Sequence, residues 1–314
     1  MNASLLLHPR AMWRKVRAVL DNTRFEQLER KLYSRIVYDQ LIRQALTSTE
    51  SGTSAEHYCD HEVIVSLTSY GRRIFDVAAT VESIMQGSVK PNRIVLWLSK
   101  EEFSGKSLPV TLQRQVQRGL EVAFCKDTRS YKKLIPSLKK YPDAAIITAD
   151  DDIIYRHDFV ENLLVAHGEH PDHITAYRIH RITLKDGKPQ GYLKWAGSAH
   201  VSDDSPLNFF TSGGGVLYPA HCFTDEIFNE DVFMSICPHA DDVWFNAMAL
   251  LKGTRTLQCK GKDLSGENYI NIPASAERGL WRVNLAGNGD GTCGNDTQLK
   301  AVFDRYNLWD KLRV

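Results

Sequence analysis

Between residues 61 and 181 the chain alternates two hydrophobic patterns. Apolar runs of five to seven residues (VIVSLT, RIVLWLS, LEVAFC, AAIITA) and a longer one (HITAYRIHRI) read as buried strands. The segments between them carry helical spacing. In RIFDVAATVESIMQ, residues Ile74, Val77, Ala78, Val81, Ile84 and Met85 share one helical face. LPVTLQRQVQRG is a weaker helix closed by Gly119, and RHDFVENLLVAHGEH is a further helix. SYKKLIPSLKKY is helical, with Pro136 as a kink or break. This alternation predicts an α/β layer with a mostly parallel sheet flanked by helices. Right-handed crossovers set the carboxyl ends of such strands along one edge, where ligands bind. LTSYGRR after the first strand and DDD after the fourth should therefore face one crevice.

Past residue 180 the alternation stops. KDGKPQGYL reads as a hairpin turn, and NFFTSGGGVLYP as a strand interrupted by glycines. PHADDVWFNAMALLKG reads as a helix preceded by two acids, and ERGLWRVNLAGNGDGTCGNDTQLKAVFDRY as a Gly/Asn-rich stretch turning helical. At the other end, Phe25, Leu28, Leu32, Ile36 and Leu41 recur at roughly helical spacing. They predict one or two amphipathic helices, followed by a polar linker, TSTESGTSAEHYCD. The expected organisation is a helical extension and linker over 1–60 and one α/β domain over 61–314, with a nucleotide-binding half (61–180) and an acceptor half (181–314).

Composition narrows the class. Hydrophobic residues are 43% and charged residues 25%, as in soluble globular proteins. The net charge of +1 gives no support for nucleic-acid binding. No apolar run reaches the ~18 residues of a membrane helix, and MNASLLLHPRAMWRK reads as no secretory signal. Six scattered cysteines without a CxxC fit reduced thiols in a cytoplasm. Charge is uneven, however. Residues 1–45 hold nine Lys/Arg against four acids, +5 in a chain whose total is +1. Such an extension fits docking on an anionic membrane, here the inner face of the cell membrane, or packing on the main domain with a solvated basic face.

Candidate chemistry begins with IITADDDIIY. Three aspartates close what reads as a buried strand, and unpaired buried charge is expensive. Alternation along a strand turns Asp150 and Asp152 to one side and Asp151 elsewhere. Oxygen-only ligands suit Mg2+ or Mn2+, completed by phosphate oxygens. Helix capping is the plainer alternative. Arg72, Arg73, Lys132 and Lys133 follow strands of the same layer and suit phosphate, or are solvated surface cations. Gly213, Gly214 and Gly215 allow close approach of backbone to a ligand, or mark a bulge. Asp241 and Asp242 precede an apolar helix, as caps or as a source of a general base. P-loop, dinucleotide-binding, HExxH and GxSxG fingerprints are all missing from the sequence.

The order of VIVSLTSYGRR, SYKKLIPSLKKYPDAAIITADDDIIY, FFTSGGGVLYP and ADDVWFNAMA resembles the GT-A-fold glycosyltransferases, family-2-like, of bacterial capsule and lipopolysaccharide assembly. The resemblance spans about residues 61–250. It implies a GT-A-like fold in which Asp150 and Asp152 hold Mn2+ or Mg2+ and the donor diphosphate, with Asp151 nearby. It implies nucleotide contacts from Thr68, Ser69 and Arg72 or Arg73, and a pocket lined by Gly213 to Gly215. In the family an acidic "ED" pair supplies the base by its second member. Here the pair reads DD, so Asp242 is the implied base and Asp241 its neighbour. Arg178, His180 and Trp195 are the acceptor-site candidates, with a structural histidine and a core tryptophan as plainer readings. The implied activity is inverting transfer from a nucleotide-sugar donor, UDP-linked by default, to a glycan or lipid-linked acceptor. No QxxRW element is present, which points to single additions rather than processive synthesis. A sugar nucleotidyltransferase and an inactive glycan- or nucleotide-binding protein are the competing readings.

Overall fold

The protein's computed structural model describes residues 9–260, 269–272, 284–286 and 293–313, and the side chains of the first helix from Phe25, Gln27 excepted. Four strands open the α/β layer: β1 (Val63–Thr68), β2 (Arg93–Ser99), β3 (Leu120–Cys125) and β4 (Ala145–Ala149). Between them lie α2 (Val77–Met85), α3 (Lys100–Phe103), α4 (Val110–Val116) and α5 (Ile135–Lys140); α1 (Pro9–Thr47) precedes them. Then follow β5 (Ile153–Tyr155), α6 (Phe159–Glu169), β6 (Ile174–Ala176), β7 (Ile179–Arg181), β8 (Leu184–Lys185), β9 (Lys188–Pro189), β10 (Ala196–Ala199), β11 (Asn208–Phe210) and β12 (Val216–Tyr218). The described chain closes with α7 (Glu230–Ile236), α8 (Asp241–Lys252), β13 (Thr256–Gln258), β14 (Tyr269–Asn271) and α9 (Gly294–Tyr306).

The central sheet has seven strands in the order β13-β6-β12-β4-β1-β2-β3. All its pairings are parallel except those of β12, which runs antiparallel to both β4 and β6. The mostly parallel, helix-flanked sheet expected from the pattern is therefore present. Its continuous apolar runs have a simple cause, because both faces are covered. Ile64, Val95 and Ile146 belong to one core, while Val63, Val65, Ile94 and Ile147 belong to the other. Register brings Leu67 opposite Ala149, so β1 and β4 end together. β12 starts opposite the end of β4, at Val216 beside Thr148. The glycine turn thus enters the sheet where the aspartates leave it.

Three segments differ from expectation. HITAYRIHRI is two strands: β6 joins the central sheet, and β7 lies between β10 and β11 in a separate three-stranded sheet. Pro136 starts a helix rather than kinking one, since it sits in the first turn of α5, where its missing N–H is harmless. The supposed linker is tied down: Gly52 N–H donates to the Arg118 carbonyl at 2.8 Å and Ser54 N–H to that of Pro91 at 3.0 Å. KDGKPQGYL forms the expected hairpin, with Asp186 and Gly187 both at positive φ. Much of the Gly/Asn-rich tail (277–283 and 287–292) lies outside the described residues.

The N-terminal extension is a single 39-residue helix. Its second half packs on the domain through Leu41 and Ala45, with Val37, Tyr38 and Ile42 partly buried. Tyr38 donates to Asp76 at 2.8 Å, and Ser34 to the Asn271 carbonyl at 2.7 Å. No described helix is long and apolar enough to cross a membrane. All six cysteines are free.

Candidate functional site

Of the aspartates at the end of β4, Asp151 is buried and Asp150 and Asp152 are partly exposed, and two basic side chains hold the three. Asp150 accepts from Lys133 Nζ at 2.7 Å through Oδ1. Its own N–H donates to the Tyr155 hydroxyl at 2.9 Å, and that hydroxyl donates to the Gly213 carbonyl at 3.2 Å. Asp151 accepts from Ser69 Oγ at 2.6 Å and from Arg73 Nη1 at 2.7 Å. Arg73 also reaches Asp152 Oδ2 at 3.1 Å. One arginine therefore clamps two of the three carboxylates. It comes from the 3-10 turn after β1, as the shared sheet edge requires.

Lys133 is the second organiser. It comes from the 3-10 turn Arg129–Lys133 after β3, and its ammonium is buried among acceptors. Besides Asp150 it donates to Ser212 Oγ at 2.6 Å and pairs with Asp241 Oδ2 at 3.0 Å. The pair with Asp241 is an ion pair without hydrogen-bond alignment, since that buried oxygen has no hydrogen-bond partner. Ser212 in turn donates both Oγ–H, at 2.6 Å, and N–H, at 3.0 Å, to Asp242 Oδ1. A continuous chain, Asp150–Lys133–Ser212–Asp242, joins the end of β4 to the start of α8.

The glycines make this approach feasible. Gly215 has φ +98°, and an added Cβ would lie 2.3 Å from the Phe159 ring. A Cβ on Gly213 would stand 3.0 Å from both Asp150 Oδ2 and Arg178 Nη2. Arg178 thus lies beside Asp150. It is held by donation from Nε to Thr211 and from Nη1 to the Tyr269 hydroxyl, the latter at 2.6 Å.

Charge is unbalanced here. Asp150, Asp151, Asp152, Asp241 and Asp242 face Arg73, Lys133 and Arg178, two positive charges short of balance. Burial raises the Asp151 pKa to about 6 despite Arg73, and raises Asp241 to about 6 despite Lys133. Asp152 is also raised, by burial and then by the negative charge of Asp150. Burial pushes Asp150 up as well, but Lys133 prevails and holds it below the ordinary range. These carboxylates lack positive charge.

The remaining sequence candidates fall in different places. Thr68 donates to the Trp97 carbonyl at 2.8 Å and steadies the strand end. Arg72 is exposed. Lys132 turns to Asp127, away from the aspartates of β4. His180 lies one strand residue beyond Ile179, and its Nδ1 accepts from Ser198 N–H at 2.8 Å. Trp195 is 7% exposed, packed on Tyr192 and Phe209, and donates to the Gln190 carbonyl at 2.8 Å. The structure places it in the core. Sequence reasoning missed Ser212, Tyr155 and Tyr269. Ser212 adjoins the glycine run, a usable signal; Tyr155 and Tyr269 carry none, because only the fold brings them to Asp150 and Arg178.

Comparison with known proteins gives distant likenesses. No family model and no curated protein sequence matches the chain. Among solved structures, S. aureus TarS 1–349 is similar at 13% identity and TM-score 0.44, covering 66% of this chain. The chain spans 59% of the length of that structure, which has also been solved with UDP. The mannosyltransferase PcManGT from Pyrobaculum calidifontis, in complex with GDP-Man and Mn2+, is similar at 11% identity and TM-score 0.43, over 90% of this chain and 80% of that one. The inositol-1-phosphate CTP transferase from T. maritima matches at 11% identity and TM-score 0.38, over 64% and 86%. At this distance the likeness carries no substrate or mechanism to this chain.

Proposed function

We propose that the protein is a metal-dependent glycosyltransferase. It moves a sugar from a nucleotide-sugar donor, UDP-linked, to a hydroxyl of a glycan or lipid-linked acceptor in cell-surface polysaccharide synthesis, with inversion. The observation that carries this reading is the chain Asp150–Lys133–Ser212–Asp242. It couples a strand-end acidic cluster, suited to a metal diphosphate, to a separate carboxylate suited to a base.

The residues fit a divalent cation in number and chemistry. Lys133 occupies Oδ1 of Asp150 and Arg73 occupies Oδ2 of Asp152, so each carboxylate keeps an oxygen outside those pairs. Among the described residues no cluster of three or more His, Cys, Asp or Glu is arranged to hold a metal ion alone. Two carboxylates completed by donor phosphates are a usual arrangement for Mg2+ or Mn2+. When bound there, the ion supplies neutralisation of the leaving diphosphate. Asp242 takes the proton of the acceptor hydroxyl, its carboxylate fixed by two donations from Ser212. The acceptor oxygen bonds to the anomeric carbon as the bond from that carbon to the diphosphate breaks. Arg178, beside Asp150 and Gly213, is a fixed cation for the developing negative charge. Gly213 to Gly215 keep the space beside it clear, and Ser69, Arg73 and Asp151 shape the nucleotide side.

Thermal melting with UDP, GDP, CMP and ATP, with and without Mn2+, tests this. A nucleoside diphosphate at about 100 times its dissociation constant adds roughly 2.7 kcal/mol and moves the midpoint by a few degrees. A shift needing both diphosphate and Mn2+ supports the proposal. A shift with ATP alone redirects it to a nucleotidyltransferase, and no shift with any of them removes it.

A further inference from the structure

Among its described side chains, helix α1 presents two apolar faces, and one of them packs on the domain. Its docked face carries Ser34, Val37, Tyr38, Leu41 and Ala45, packed on the domain. On the far side stand Phe25, Leu28, Leu32 and Ile36, exposed by 67%, 55%, 56% and 64%. At about 100° per residue these four lie opposite Ser34 and Leu41, so the helix cannot bury them on its own domain while its docked face is engaged. A run of three turns of large exposed apolar residues marks an interaction surface.

We infer that this outward stripe docks the protein on an anionic lipid surface, with α1 lying in the interface. Charge complementarity selects that occupant. Residues 1–45 carry +5, which leaves −4 on residues 46–314. An anionic surface therefore attracts the helix and repels the body, which sets one orientation. Within the described part, Arg35 is exposed beside the stripe and pairs with Asp39, Arg30 and Lys31 are exposed toward the docked side, and Glu26, Glu29 and Asp39 offset all three, so the positive excess lies toward the N-terminal end of the sequence. A second copy of α1 fits less well. The stripe spans Phe25 to Ile36 and then meets Asp39 and Arg43, too short for a sustained heptad seam. This inference is independent of the proposed chemistry, and its test uses no nucleotide.

The test is co-sedimentation of the full chain with vesicles. One set is pure phosphatidylcholine, and the other contains about one third phosphatidylglycerol, in low and high salt. Binding is expected only to the anionic vesicles, weakened by salt. The triple variant Leu28→Ser, Leu32→Ser, Ile36→Ser should lower the bound fraction at least about ten-fold while leaving the melting midpoint in place, because all three side chains are exposed. Replacing Arg14, Arg17 and Arg24 by Gln, in the segment whose sequence carries the excess charge, should cost less and should flatten the salt dependence. Equal binding to neutral vesicles, no binding to either, or binding unchanged in the triple variant overturns the inference. So does a dimer in free solution that the triple variant converts to monomer.

Discussion

Ser212 donates its hydroxyl and its backbone N–H to the same oxygen of Asp242, at 2.6 and 3.0 Å. Two donors on one carboxylate oxygen hold the group in place and leave the other oxygen outside these bonds. The same serine accepts from Lys133, so the orientation of Asp242 is set by the group that holds Asp150. Ser212→Ala keeps the N–H contact and loses the rest. Its turnover is expected to fall roughly ten- to a hundred-fold with little change in donor KM. Steady-state kinetics on wild type and variant check this.

Glu82 and Arg118 form a fully buried pair linking α2 to the segment after α4. Arg118 donates to both carboxylate oxygens, at 2.7 and 3.1 Å, and its Nε donates to the Glu50 carbonyl at 2.7 Å. Removing one partner strands the other charge. Glu82→Ala should destabilise the protein by about 3–5 kcal/mol, measured by urea unfolding, whereas losing an exposed pair such as Arg35–Asp39 should cost under about 1 kcal/mol.

Gly215 combines positive φ with a neighbour that blocks any side chain. Gly215→Ala is expected to lose about 1–3 kcal/mol from backbone strain alone, with a further penalty from Phe159. Trimming Phe159 to Leu in the same chain should restore only the packing part. Full restoration would show that φ is not the constraint.

His180 is held neutral by burial first and by Arg178 second, with its pKa lowered from 6.5 to about 4. The unfolded chain binds a proton near pH 6.5 and the folded chain does not until about pH 4. Stability from this group is therefore complete above pH 6.5 and is lost as pH falls toward 4, by at most about 3 kcal/mol. His180→Gln should flatten the stability–pH curve in that window, as followed by chemical denaturation at several pH values.

Much of the sheet was legible because a strand buried on both faces writes itself as an unbroken apolar run, as VIVSLT and AAIITA do. The shared edge followed from parallel topology. What periodicity could not supply was the break at Tyr177 and Arg178, where β6 and β7 part into different sheets. Nor could it supply the partners of the aspartates. Lys132 and Lys133 are adjacent and chemically alike, yet one turns to Asp127 and the other to Asp150, Ser212 and Asp241. That distinction depends on which way a 3-10 turn faces. Trp195 carried an aromatic signal equally consistent with sugar stacking or core, and packing against Phe209 places it in the core.

Under the proposed function the two acidic clusters have separate tasks, donor capture at Asp150 and Asp152 and proton removal at Asp242. Titration calorimetry of UDP with Mn2+ on wild type, Asp152→Asn and Asp242→Asn tests it most directly. Asp242→Asn should bind UDP as wild type does while losing transfer by roughly a hundred-fold or more. Asp152→Asn should lose metal-dependent binding by at least about ten-fold. Equal binding by Asp152→Asn and wild type, or tight binding that needs no metal, would contradict the account.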